Sequence, residues 1–423
     1  MASNMASNGT HTGRPDLGRP QSASRAWFEP LIIVSVMLAS LYFNRKRSYS
    51  IILARKRRRT LERISSSDSL LQDLSGNHSP ERGDSLVDST FASKMRCCGI
   101  IPVPSPESTE RFQDYPHSRL LQKFPFLVEM FYWALNYVAY SLTKQVAAAV
   151  YGQGGHAVTQ MAQDHGIAIL TLEHNTFLSI FFPIEEVSLQ SFFLNEHQSI
   201  MTFFNQIYSL VHIPGTVAFL SWYYYAAPNH STFAVARRTM TLGNFSAFII
   251  FCFYPCMPPR LLPESFGFKD TVRQDNAESV WVGGANVNQL AAMPSLHFTY
   301  AFIIGCTFIY HSGLLQALQG VRTPGRSTVG MFGFIMAGIL YPMLVLTVIV
   351  ATANHYWFDA TVATVSVTAA FLCNRIWYVL LPAEQLLCWI LRIKKPIPTT
   401  GQRHGLREEF DTRPKIMVSE VIV

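Results

Sequence analysis

Between residues 125 and 385 the chain returns six times to an apolar stretch, at about 126–148, 201–225, 238–257, 296–312, 331–352 and 359–381. About 20 apolar residues in a helix cross the hydrocarbon core of a bilayer. A helix satisfies its own backbone polar groups there, which an open strand or loop does not. Repeated along 260 residues, the pattern predicts an all-α polytopic membrane protein with a six-helix transmembrane core. Composition agrees: 49% of residues are hydrophobic and 14% charged, against about 25% charged in soluble domains. No internal repeat is evident, and strand signals are weak.

The flanks read differently. Residues 1–26 are rich in Ser, Asn, Gly and Arg and are expected to be disordered. Residues 27–43 are apolar and end at Asn44-Arg45-Lys46, which suits a signal-anchor helix. A cleaved signal peptide is the rival reading, but no clear small-residue cleavage site follows. Residues 44–124 form a basic and Ser-rich cytosolic linker, 125–385 the membrane domain, and 386–423 a cytosolic tail. The net charge of +7 is concentrated in runs such as Arg45, Lys46, Arg47 and Arg55 to Arg59. Basic residues beside an apolar stretch set topology and meet anionic lipid, so a bilayer partner is favoured and no nucleic acid is expected. Phosphorylation within Ser65 to Ser69 would weaken that attachment; a plain solvated tether is the simpler reading. The seven cysteines show neither metal spacing nor a disulfide framework. Five lie in or near the apolar stretches; Cys97-Cys98 offer a palmitoylation site or a pair of plain thiols.

Basic residues also orient the core. Arg237 and Arg238, Arg322 and Arg326, and Arg392, Lys394 and Lys395 fall on one side under alternation, together with the 45–59 run. That side is the cytosol by the positive-inside rule. The loop 258–295, His297 and the 353–359 junction then share the lumenal or exoplasmic face.

Three clusters meet there. Met293-Pro294-Ser295-Leu296-His297 and Asn354-His355-Tyr356-Trp357-Phe358-Asp359 each set an imidazole at the edge of an apolar stretch, where a polar ring must find a partner. His355 and Asp359, four residues apart, share one helix face, roughly 6 Å apart along the axis. A carboxylate so placed fixes the tautomer of the imidazole and supports its cation. The third cluster is Pro258-Pro259-Arg260, with Arg260 at the same face. Its guanidinium suits a phosphate clamp; an Arg snorkelling to lipid headgroups is the alternative.

In this order the three clusters resemble the signature of the type 2 phosphatidic acid phosphatase (PAP2) superfamily. The Pro-Ser-Leu-His form, with the runs 258–271 and 291–297, is similar to the branch containing fungal inositol phosphorylceramide synthase. The resemblance spans roughly 125–385. It implies that His355 is the nucleophile, Asp359 its orienting carboxylate, and His297 the general acid and then base. Arg260, Ser295 and Asn354 would bind phosphate. It implies neither metal nor other cofactor, phospholipid and sphingolipid substrates as partners, and an endomembrane location, Golgi or ER. Inositol-phosphate transfer from phosphatidylinositol to a ceramide-like acceptor is the expected reaction. A lipid phosphate phosphatase and a non-catalytic transporter or scaffold are the alternatives. One departure stands out: the Ser-Arg expected six to seven residues before His355 is replaced by Val348 and Ile349. Phosphate charge then falls to Arg260, with Lys269 or Arg273 in reserve.

Weaker signals remain. The stretch 167–194 carries Glu173, His174, Pro183, Glu185 and Glu186 and reads as two interfacial helices. Glu173-His174 is expected to be an interfacial solvated pair. Glu129 is expected to snorkel or to face a polar cavity, and Trp222 to Tyr225 to form an interfacial belt. Asn8-Gly9-Thr10 is a glycosylation sequon that matters only if the N-terminus is lumenal.

Overall fold

The computed structural model describes residues 28–47, 49, 96–97, 101–102, 109–151, 155–175, 177–271, 288–319 and 327–401. The sequon, most of the 45–59 run, the Ser65 to Ser69 cluster, Cys98, Arg273, Arg322, Arg326 and the last 22 residues lie outside them. The described residues are almost wholly helical. Between the helices run irregular segments, and the strands among the described residues are a two-residue antiparallel pair, Arg96–Cys97 (β1) with Ile101–Pro102 (β2).

Thirteen helices are named here in chain order: α1 (Phe28–Phe43), α2 (Pro116–Lys123), α3 (Phe126–Tyr151), α4 (Gly155–Glu173), α5 (Glu186–Glu196), α6 (Gln198–Gln206), α7 (His212–Ala226), α8 (His230–Phe253), α9 (Leu296–Ser312), α10 (Leu314–Leu318), α11 (Thr328–Ala351), α12 (Trp357–Leu372) and α13 (Leu381–Ile390). Each expected apolar stretch coincides with helix, and α1 matches 27–43. Among the described residues α11 alone is long and apolar enough to cross a membrane by itself; α12 and Asn374–Ile390 qualify only when read together as one broken span. The reason lies in the sequence. α9 and α12 are short, at 17 and 16 residues, and α8 carries His230, Arg237 and Arg238.

The described residues fall into two compact units, those within 28–34, 136–217 and 239–370 in the first, and those within 35–135, 218–238 and 371–401 in the second. In the first unit α9 and α11 pack most closely. Ser295 caps α9, its Oγ accepting from the Phe298 amide at 3.2 Å, and Ser327 caps α11 through Gly330. Gly305 and Gly338 set the approach. A Cβ on Gly305 would lie 2.5 Å from both the Gly338 carbonyl oxygen and Pro342 Cγ, so only bare backbone fits there. The foot of α11 (Val345, Val348, Ile349, Val350, Ala351) forms a core with Phe204, Tyr208, Phe298, Ala301, Ala360 and Ala363.

The stretch 167–194 does fold as two helices, α4 and α5, broken around Pro183. Phe177, Ile180 and Phe181, in the turn between them, are each about two-thirds exposed or more, as suits an apolar turn at a membrane surface.

The second unit orders much of what reads as linker and tail. Gln122 donates to the Lys394 carbonyl at 3.0 Å, Ser118 accepts from the Lys394 amide at 3.0 Å, and Thr399 donates to the Asn44 carbonyl at 2.9 Å. The segment 391–401 is therefore docked on α2 and on the residue that follows α1. Glu129 does not snorkel: it is buried and bonded to Arg237 at 3.0 Å. The aromatic run is half belt and half core, with Trp222 and Tyr225 exposed and Tyr223 and Tyr224 buried.

Candidate functional site

Three irregular segments of the first unit are stitched together by backbone. Cys256 donates its amide to Leu290 at 2.8 Å and accepts from Ala292 at 3.1 Å; the Arg260 amide donates to the Ala353 carbonyl at 2.9 Å. Segment 254–262, which follows α8, is thus tied both to the run before α9 and to the run before α12. Tyr356, fully buried, donates from Oη to the Met257 carbonyl at 2.8 Å. Gly166 on α4 makes room for that bond, since a Cβ there would lie 2.6 Å from the Tyr356 hydroxyl oxygen. The chain turns into α12 through Ala353, whose φ of 54° lies in the left-handed region. An alanine held there costs of order 1 kcal/mol or more, and surrounding bonds must hold it. The amides of Asn354 and His355 both donate to the Ile349 carbonyl, at 3.0 and 3.1 Å.

That turn presents His355. Its Nδ1 lies 2.7 Å from the Ala292 carbonyl oxygen and 3.1 Å from Asp359 Oδ2. Both partners only accept, so Nδ1 carries the hydrogen and Nε2 holds the lone pair. Asp359 Oδ2 also accepts from the Tyr356 amide at 3.0 Å, while its Oδ1 is buried with no donor. The His297 ring, at the start of α9, lies 5.6 Å from the His355 ring, centroid to centroid, at 59°. His297 is half-buried while His355 is buried.

Arg260 is buried at the same junction. Its Nε donates to Asn354 Oδ1 at 2.8 Å and its Nη1 to Asp270 Oδ2 at 2.9 Å. Asn354 is used up in positioning, because its Nδ2 donates to Thr352 Oγ1 at 2.8 Å. Ser295 is fully buried, with its oxygen accepting at the α9 cap. In this structure these two side chains hold the walls of the site, and Arg260 is the cation it offers. The Lys269 side chain is exposed; its backbone is pinned instead, amide and carbonyl both bonded to Gln190, at 2.9 and 2.8 Å. Val348 and Ile349 sit in the apolar core, so the positions where Ser-Arg is missing carry packing here.

Three residues escaped the sequence reading. Asp270 carries no signal of its own in the sequence beyond its place in the run 258–271, and it emerges only through its contact with Arg260. Tyr208 lies within a π-helical turn, Ile207–Val211, and His212 directly follows it; such turns recur at functional sites. The His297 ring lies 4.3 Å from Tyr208 and 4.2 Å from His212. His212 is buried and its Nδ1 has no partner. The rule that flags His297, an imidazole in an apolar stretch, flags His212 equally. Glu173 is also a correction. It is not solvated but fully buried, and its Oε1 accepts from the Phe358 amide on α12.

A family model described as the PAP2 superfamily matches residues 168–321. The match takes in Arg260, Asp270, Ser295 and His297 and ends ahead of His355 and Asp359. Members of that superfamily are generally phosphatases or phosphotransferases, with lipid phosphates among their substrates, and the match with the apolar span supports membrane association. No curated protein and no solved structure matches the chain.

Proposed function

We propose that the protein is a membrane-embedded lipid phosphotransferase that works through phosphohistidine at His355. The observation that carries this reading is the His355 ring itself. With Nδ1–H held by Asp359 and the Ala292 carbonyl, the Nε2 lone pair is left for chemistry beside His297. His355 Nε2 attacks phosphorus, the bond from phosphorus to the donor's leaving oxygen breaks, and that oxygen takes a proton from His297. In the return step His297 takes the proton of an acceptor hydroxyl, whose oxygen attacks phosphorus as the phosphorus–nitrogen bond breaks. Asp359 supports the positive charge that grows on His355 and does not itself change protonation. Arg260 meets the equatorial oxygens.

The preferred donor is phosphatidylinositol and the preferred acceptor a ceramide-like alcohol. The motif variants at 258–271 and 291–297 favour this pair. Six apolar helices would form the membrane core, with the site on the lumenal side of a Golgi or ER membrane, the side opposite the basic segments. Water as acceptor would make the same residues a phosphatase.

Turnover by the purified chain in detergent tests this. Phosphatidylinositol is supplied with and without ceramide, phosphatidic acid is supplied alone, and His355→Ala is the blank. Ceramide-dependent product supports the transferase. Inorganic phosphate from phosphatidic acid without transfer assigns a phosphatase. Equal turnover by His355→Ala rejects the phosphohistidine route altogether.

A further inference from the structure

Glu173 closes α4 and Glu186 opens α5, and both carboxyl groups are buried, at 0% and 1% exposure. Each has one oxygen accounted for. Glu173 Oε1 accepts from the Phe358 amide, and Glu186 Oε2 lies 3.7 Å from His174 Nε2, whose side chain is 40% exposed. The remaining oxygens, Glu173 Oε2 and Glu186 Oε1, are buried and receive no donor. Two ionised carboxylates side by side away from water repel each other and lose their hydration without return. A single proton held between them removes both penalties, as in other buried acid pairs. Burial first, then the neighbouring Glu186 carboxyl, pushes the Glu173 carboxyl far above the usual carboxylate range.

The bond to Phe358 gives the pair its place in the site. Phe358 is the second residue of α12, and the first amides of a helix lack intrahelical acceptors. Asp359 Oδ2 takes the Tyr356 amide and Glu173 takes the next but one. Trp357 adds a third tie, donating from Nε1 to the Ile184 carbonyl at 2.8 Å in the segment between the two glutamates. The turn that carries Asp359 is therefore tied to Glu173 at the end of α4 and to Ile184 in the segment before α5.

We propose that Glu173 and Glu186 form a carboxyl–carboxylate pair sharing one proton, and that Glu173 is a positioning residue that fixes α12, and through it the Asp359–His355 bond, by accepting the Phe358 amide. The proposal rests on the reading of His355 as the reacting group for its effect on turnover. Its structural half stands without that reading.

The test uses the full-length protein in detergent micelles, with Glu173→Gln, which keeps an acceptor for Phe358, and Glu173→Leu, which does not. Hydrogen–deuterium exchange over residues 354–362 is expected to be slow in the native protein and in Glu173→Gln, and fast in Glu173→Leu. The infrared carbonyl band of a protonated carboxylic acid is expected at pH 8 in the native protein and to be lost in Glu173→Gln. In turnover of phosphatidic acid, and of phosphatidylinositol with ceramide, Glu173→Leu should lower kcat roughly 100-fold, the cost of a misplaced reacting group. KM should stay within about 2-fold, and Glu173→Gln should restore kcat to within about 3-fold of native. Unchanged exchange in Glu173→Leu overturns the tie to α12, and absence of the band at pH 8 overturns the shared proton. A Gln variant as slow as Leu, with exchange and melting temperature unaltered, overturns the positioning role. Native-like turnover by His355→Ala would reject the phosphohistidine reading while leaving the exchange and infrared results to decide the pair.

Discussion

Glu129 in the second unit and Asp359 in the first are both buried carboxylates facing a basic group, and they are satisfied in different ways. Glu129 accepts at both oxygens from Arg237 Nη1, at 3.1 and 3.0 Å, and the guanidinium lies 4.7 Å from the Tyr132 ring centre. Asp359 concentrates two donors on Oδ2 and leaves Oδ1 bare, while its partner His355 keeps a nitrogen in hand. The first arrangement is saturated and joins α3 to α8 mechanically. The second holds unspent acceptor and lone-pair capacity, which is what a site that moves protons and phosphoryl groups requires. A buried ion pair alone does not mark a functional site; incomplete satisfaction around a fixed tautomer does so far better.

The largest effect that sharpens this contrast is chemical. Replacing His355 with Ala should lower turnover at least about 10⁴-fold, and Asp359→Asn should come close to it by releasing the tautomer, with the melting temperature little changed. The mechanical pair should behave in the opposite way. Arg237→Met leaves Glu129 buried and uncompensated and should destabilise the protein by about 3–5 kcal/mol in denaturant titration. Specific activity of the folded fraction should stay constant, and replacing Glu129 with Leu in the same protein should recover most of the stability. Arg260→Lys ranks next. It keeps the charge and loses the two-direction fork to Asn354 and Asp270, so kcat should fall about 10²-fold. The smallest effect belongs to His212. Phe at that position keeps the ring against His297 but loses the nitrogens, and an activity change below about 3-fold would assign His212 to packing. A change as large as that of Arg260→Lys would place it among the proton-handling groups and blur the contrast drawn above.

The legible part of the structure was the part carried by local pattern. The i, i+4 relation of His355 and Asp359 and the helical content of each apolar stretch follow from periodicity alone. The link of Arg260 to the His355 turn was suggested by topology, and it is realised through Asn354. What was not legible depends on partners distant in sequence. Glu173 reads as an interfacial acid until the Phe358 amide, 185 residues on, is found against it. Glu129 reads as a snorkelling or cavity-facing residue until Arg237 closes on it. The docking of 391–401 pairs the side chains of Gln122, Ser118 and Thr399 with backbone groups far away in sequence, and a backbone partner leaves no trace in side-chain composition. The number of independent membrane crossings depends on where each helix begins and ends, and α9 and α12, at 17 and 16 residues, are shorter than the about 20 that a straight crossing takes.

The contact between Arg260 and Asp270 has a consequence for any binding measurement. Asp270 is a competitor tethered to the site at a fixed effective concentration. An anion that Arg260 takes up must first win the guanidinium from it, so the affinity observed is the intrinsic one scaled by the fraction of time the fork is vacant. Phosphate mimics would rank in their true order yet all read too weak, and Asp270→Asn would shift the whole series toward tighter binding by a common factor.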